Sequence, residues 1–181
     1  NQSVRKFSVG RNAQGVSGIR FGLGAIKSCG DKAIDSIIAQ RRKGGPYKDI
    51  FDFCQRMDSE QVNKRVVESL ILSGAMDCTG ARRPQLLAVN ESAPDGAEKS
   101  RRSNVVGQMS LFGNGLLEEV KPTLPDIPEY NLRTMLSLEK NVTGLYISGH
   151  PLGDYSKALS ALDMNTARLT ELLESPDPGL S

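Results

Sequence analysis

Residues 91–128 follow neither the 3.6-residue nor the two-residue apolar period, and that gap governs how the chain can fold. The segment is small, charged and proline-rich, running from ESAPDGAEKSRRSN to EEVKPTLPDIP. It carries too little apolar surface to offset the entropy of ordering it, which predicts a mobile linker. Periodic sequence on either side sets the expected organisation. A domain occupies 1–90, the linker 91–128, and a small segment 129–181. A length of 181 residues suits one or two such units.

In the first block, RKFSV and GIRFG read as short strands around the turn-rich GRNAQGVS, which predicts a β-hairpin. Ala33, Ile34, Ile37 and Ile38 then follow helical spacing, with Asp31 at the start and Gly44–Gly45–Pro46 as the stop. Arg41, Arg42 and Lys43 fall in the last turn, where cations suit the helix dipole. A further helix is expected around DIFDFCQRM, with Ile50, Phe53, Cys54 and Met57 on one face. Another follows Asn63, with Val66, Val67, Leu70 and Ile71 inward. GAMDCTG breaks it, and RRPQLLAVN resumes helix with Pro84 tolerated in the first turn.

Beyond the linker, Leu132, Met135, Leu136 and Val142 form a helical stripe. GLYISGHPL reads as a short apolar strand ending in a turn, and Asp154–Leu162 and Thr166–Leu173 as two short helices. The expected fold class is mainly α. A helix-hairpin-helix-type domain with a short N-terminal β-hairpin is followed by the mobile linker and a small α-rich (α+β) C-terminal segment.

The net charge of +2 conceals a division. Residues 1–90 hold 15 Lys+Arg and 8 Asp+Glu, whereas residues 91–181 hold 8 and 13. A basic first half suits a polyanionic partner. No apolar run approaches the roughly 18 residues of a membrane span, and NQSVRKFSV lacks the apolar region of a secretory signal. The chain starts inside a strand-like alternation without Met, so a piece of a longer, cytoplasmic protein is expected. Cys29, Cys54 and Cys78 form no CxxC pair, and His150 is the only histidine, so neither zinc nor any other cofactor is expected here. The cysteines read as reduced packing residues.

Two turns carry the candidate chemistry. KSCGDKA reads as a turn between two helices, and its backbone N–H groups and the positive end of the following helix are suited to a DNA phosphate. Ser28 and Gly30 let the backbone approach, Cys29 and Asp31 complete the turn, and Lys27 and Lys32 add charge. GAMDCTGARR is a weaker second candidate, with Gly80, Ala81, Arg82 and Arg83 leading into a helix. Such contacts hold duplex without reading its sequence. The alternative is an ordinary helical corner with surface lysines. GLGAIK begins like a dinucleotide-binding loop, but Lys27 stands where its third glycine belongs. Catalysis finds no orienting carboxylate for His150, which is expected to pack or cap a turn.

The linker holds one exception to its composition, GQMSLFGNG. Gln108, Met109, Ser110, Leu111 and Phe112 fit a short docking motif. Leu111 and Phe112 would enter an apolar pocket on a partner while the Gln108 amide bonds its rim. Each burial is worth roughly 1.5–3 kcal/mol, and after ordering costs the affinity is on the order of micromolar. The alternative is that both side chains fold back onto the parent domain.

In order along the chain, IRFGLGAIKSCGDKAIDSII, FDFCQRMD, NKRVVESLILSGAMD, QMSLF and LSLEKNVTGLYISGHPL resemble the alpha subunit of bacterial DNA polymerase III. The resemblance runs from about Val4 to Tyr155. It implies the region after the catalytic core, with tandem helix-hairpin-helix elements at 27–32 and 74–83 and a peptide at 108–112 that binds the ring-shaped sliding clamp (the beta subunit). It implies duplex DNA, the clamp and other replicase subunits as partners, and no membrane. The polymerase's catalytic aspartates and their Mg2+ would lie outside this chain, as would the oligonucleotide-binding fold towards which residues 129–181 lead. Ser28 departs from the glycine usual in such hairpins, which implies strain if the position needs positive φ. Two rivals remain open: a helix-hairpin-helix module of a repair nuclease, and an interaction scaffold that binds no DNA.

Overall fold

The computed structural model describes residues 1–11, 15–90, 123–162 and 165–174. Strands β1 (Ser8–Arg11) and β2 (Ser17–Arg20) pair antiparallel, with Val9 opposite Ile19, so the expected hairpin is present with shorter strands. Next comes a single 3-10 turn, Leu23–Ala25, where a helix was expected before KSCGDKA. The reason is local. The amides of Leu23 and Gly24 donate to Val4 O and Arg5 O at 2.9 and 3.0 Å, which holds this stretch against the N-terminal chain.

Helix α1 (Asp31–Gly44) buries Ala33, Ile34 and Ile37 and stops at Gly45, whose φ of 74° suits glycine. Helix α2 (Ile50–Arg56) is capped by Asp49, which accepts from the Asp52 amide at 2.7 Å. Arg56 ties α2 to the end of α1. It donates to Gln40 O and Gly45 O at 2.6 and 2.9 Å and lies 4.3 Å over the Tyr47 ring. Helix α3 (Lys64–Leu72) is capped by Asn63, which accepts from the Val66 amide at 3.1 Å.

The end of α3 is a Schellman motif, with Ala75 N–H on Leu70 O and Gly74 N–H on Ile71 O, both at 3.0 Å. A 3-10 turn, Asp77–Thr79, leads to helix α4 (Arg83–Asn90). Ile34, Ile50, Phe53, Val67, Ile71 and Leu86 meet in one fully buried cluster, so the four helices share a core. Each such side chain contributes about 1.5–3 kcal/mol.

Helix α5 (Leu132–Thr143) starts at Asn131, which accepts from the Thr134 amide at 2.9 Å, and buries Leu136, Glu139 and Val142. Short helices α6 (Ser156–Ser160) and α7 (Thr166–Glu174) follow, as expected, with their described side chains exposed. Among the described residues this makes seven helices and one two-stranded sheet.

Three expectations need correction. The apolar strand expected in GLYISGHPL is absent, because the amides of Ile147 and Ser148 donate instead to the Glu139 carboxylate, each at 2.9 Å. The expected end of the linker at 128 falls inside packed chain. Leu124 rests on the core, and Pro125 O accepts from Gln85 Nε2 at 2.8 Å. Third, Cys29 and Cys54 are buried as expected of packing residues, but Cys78 is exposed.

Candidate nucleic-acid interface

The first turn is built by competing demands on a few amides. Ile26 is buried, and Cys29 N–H returns to Ile26 O at 3.3 Å, so the chain reverses within three residues. That reversal drives Ser28 to φ 66°, and among the described residues no other non-glycine residue has positive φ. Ser28 therefore occupies the conformation that the sequence marked as strained for serine. Left-handed geometry costs an L-residue roughly 1–2 kcal/mol.

Gly30 caps α1 without a side-chain acceptor, so the first-turn N–H groups of the helix face outward uncapped. Lys27, Ser28, Gly30, Asp31 and Lys32 are exposed, whereas Cys29 is buried and anchors the turn from beneath. Burial pushes the Cys29 thiol up to about 11. Asp31 would repel a phosphate here, but Arg5 bridges Asp31 and Asp35 at 2.7 and 2.5 Å. A shallow cleft runs from this turn to the start of α3, lined by Ser28, Lys32 and Asn63 among others. Two helix N-termini thus border one concavity, and only that of α3 is capped by its own side chain.

The second turn is different. Gly80 is exposed at φ 78°, and Ala81 packs partly on the core. The N-terminus of α4 is already supplied with acceptors by the chain itself. Arg83 N–H donates to Glu129 Oε2 at 3.0 Å, Gln85 Oε1 accepts from Arg82 N–H at 3.0 Å, and Pro84 has no N–H to offer. The Arg82 guanidinium donates to Asp126 Oδ1 and Ile127 O at 3.0 and 3.1 Å. Arg83 is only 2 % exposed, so its expected role as a phosphate contact is corrected: it is an internal cation. Asp77 holds its Nε and Nη2 at 3.0 and 2.8 Å, and Glu139 holds Nη2 at 3.0 Å. The features that would attract a phosphate have attracted carboxylates of the same chain.

Glu139 is the residue that sequence reasoning missed. Fully buried, it accepts from Arg83, from the Ile147 and Ser148 amides, and from Ser148 Oγ. Burial alone would raise its pKa, but the Ser148 hydroxyl and amide, the Ile147 amide and Arg83 together hold it below the ordinary 4.5. For Arg83, burial likewise opposes the charge, and Asp77 and Glu139 outweigh it, so the guanidinium stays above its ordinary value. The sequence did hold a signal: Glu139 lies between Leu136 and Val142 on the apolar stripe of α5, where a charge demands a buried partner.

His150 caps its own turn as expected, accepting from the Leu152 amide at Nδ1 over 3.2 Å. Gln108, Met109, Ser110, Leu111 and Phe112 lie outside the described residues.

Comparison with known proteins agrees with the geometry of the first turn. A family model described as a helix-hairpin-helix motif matches residues 1–86. DNA polymerase III subunit alpha of Vibrio cholerae is 38% identical over 162 residues, covering 88% of this chain and 14% of that protein. The chain is a relative of the DNA polymerase III alpha subunits. The Haemophilus influenzae subunit is also 38% identical over 162 residues, with the same coverage. The Pasteurella multocida subunit is 34% identical over 175 residues, covering 96% of this chain and 15% of that protein. The chain therefore spans about a seventh of the length of these alpha subunits. The helix-hairpin-helix match takes in both turns and the start of α4, whereas Glu139 and Val142 lie beyond it. Even so, α5 is bonded to both turns: through Glu139 to Arg83, and through Val142 O, which accepts from the Lys27 amide at 2.8 Å.

Proposed function

We propose that this chain is the DNA-holding and clamp-docking segment of a replicative DNA polymerase alpha subunit, a DNA-directed DNA polymerase of the bacterial cytoplasm. The observation that carries the reading is the first turn: α1 opens uncapped behind Ser28, with Lys27 and Lys32 exposed at its sides. A duplex phosphate would receive the outward N–H groups of α1 and the two ammonium groups. No base edge is contacted in this arrangement, so the grip is independent of sequence.

The peptide Gln108–Phe112 supplies the second grip, on the sliding clamp. A micromolar contact becomes durable when the same molecule also holds DNA threaded through the ring. Tethered sites see one another at effective concentrations of about a millimolar. Processive synthesis follows from two weak grips closed into one. The polymerase's catalytic centre, its Mg2+ and its other replicase contacts belong to the remainder of such a subunit.

The test is a titration of a labelled 104–115 peptide with the sliding clamp of the source bacterium. Saturable micromolar binding, lost when Gln108, Leu111 and Phe112 become alanine, supports docking. No binding by the natural peptide removes the clamp from the reading.

A further inference from the structure

One face of α5 carries a second concentration of positive charge. Arg133, Ser137, Lys140 and Asn141 stand at i, i+4, i+7 and i+8, so they share a single helical face, and all four are exposed. Together with Leu136, Tyr146 and Pro151 they line a surface groove. Its lining includes two cations and no carboxylate, in a half of the chain that holds 13 acidic residues against 8 basic ones. Among the described residues Arg133 has no hydrogen-bond or ion-pair partner, whereas Lys140 is held in place. Lys140 Nζ lies 3.2 Å from Tyr146 Oη and 4.6 Å from the ring centroid, and Tyr146 is itself set edge-on to His150.

The groove ends beside the first turn. Asn141 lines it, and the next residue, Val142, accepts the Lys27 amide at 2.8 Å. Arg133 and Lys140 are two helical turns apart, about 10 Å along the axis. The Lys27 amide on Val142 O thus ties the first turn to the end of the helix that carries this groove.

We infer that the Arg133–Lys140 face of α5 is a second phosphate-contact surface, which grips the backbone of the same duplex that the first turn holds. The inference rests on the DNA-binding reading above and adds to it an element outside the helix-hairpin-helix match. Lys140, steered by Tyr146, and Arg133 each take a phosphate, with Ser137 and Asn141 as neutral donors between them.

The experiment is duplex-DNA binding by the 181-residue chain, read by fluorescence anisotropy across a salt series. Each phosphate contact contributes about 0.9 to the slope of log affinity against log salt. The double variant Arg133→Gln, Lys140→Gln is expected to lower that slope by nearly two. A control double variant, Lys157→Gln with Arg168→Gln, removes the same charge outside the groove and is expected to leave the slope as it is. Changing Lys140 to Arg, with Arg133 kept, retains the charge and the full slope, which separates a phosphate contact from a packing role beside Tyr146. An unchanged slope in the groove variant, or an equal fall in the control, overturns the inference. If Lys27→Gln with Lys32→Gln flattens the slope and the groove variant does not, the first-turn reading stands and this one falls. No duplex binding by the intact chain overturns both.

Discussion

Arg83 Nη2 lies 3.0 Å from Glu139 Oε1, with one side chain 2 % and the other 0 % exposed, and this ion pair joins the start of α4 to α5. Isolated buried charges are costly, but here Asp77 on one side and Ser148 with two amides on the other complete the set around the pair.

Replacing Glu139 with Gln leaves Arg83 buried beside Asp77 alone. The expected cost is about 3–5 kcal/mol of unfolding free energy, measured by urea denaturation. A loss within 0.5 kcal/mol (~, the range of ordinary surface changes) would contradict the role assigned to the pair.

The same pair sets an acid limit. Glu139 has its folded pKa below the unfolded value of 4.5, so its contribution is fully present above 4.5 and is lost as pH falls through the folded value. Melting temperature measured from pH 7 downward should decline below about 4.5 more steeply in the natural chain than in the Glu139→Gln variant.

Ser28→Gly relieves a φ of 66°. The gain from removing left-handed strain, roughly 1–2 kcal/mol, is partly offset by the greater freedom of unfolded glycine. The variant should melt higher than the natural chain and bind duplex at least as well. A lower melting temperature would mean that the serine hydroxyl carries a contact which outweighs the strain.

The three thiols should separate cleanly. Cys78 is exposed, whereas Cys29 is buried with its pKa raised to about 11. Cys54 is buried as well. A chromogenic disulfide reagent at neutral pH should titrate one thiol in the folded chain and three after denaturation, because thiolate and access are both needed. Rapid modification of Cys29 in the native protein would mean that the first turn opens readily.

The residues differ in how much of this they disclose. Asn63 before Val66–Val67 carries both a cap and a period, and Ala33–Ile34–Ile37 after Asp31 carry a period with an acidic first turn, so α1 and α3 are legible from local sequence alone. The first turn is legible in part: Ile26 to Cys29 set its reversal, but the Lys27 amide is held by Val142 O and Asp31 by Arg5, and neither contact is readable from the local sequence. Arg82 and Arg83 are not. Their partners Asp126, Glu129 and Glu139 lie 44, 46 and 56 residues away, across a stretch with no period of its own. Local chemistry marks a site that wants an anion but does not say whether the anion is DNA or the chain's own carboxylate. The absent strand at 145–149 has a related cause, since the Ile147 and Ser148 amides find a carboxylate rather than a neighbouring strand.

The most direct measurement compares duplex affinity, at a single moderate salt concentration, for the natural chain, Lys27→Gln with Lys32→Gln, and Arg82→Gln. The account predicts a marked loss for the first-turn pair and near-natural affinity for Arg82→Gln, whose guanidinium already serves Asp126 and Ile127. Natural affinity in the lysine pair together with a loss in Arg82→Gln would contradict it and move the grip to the second turn.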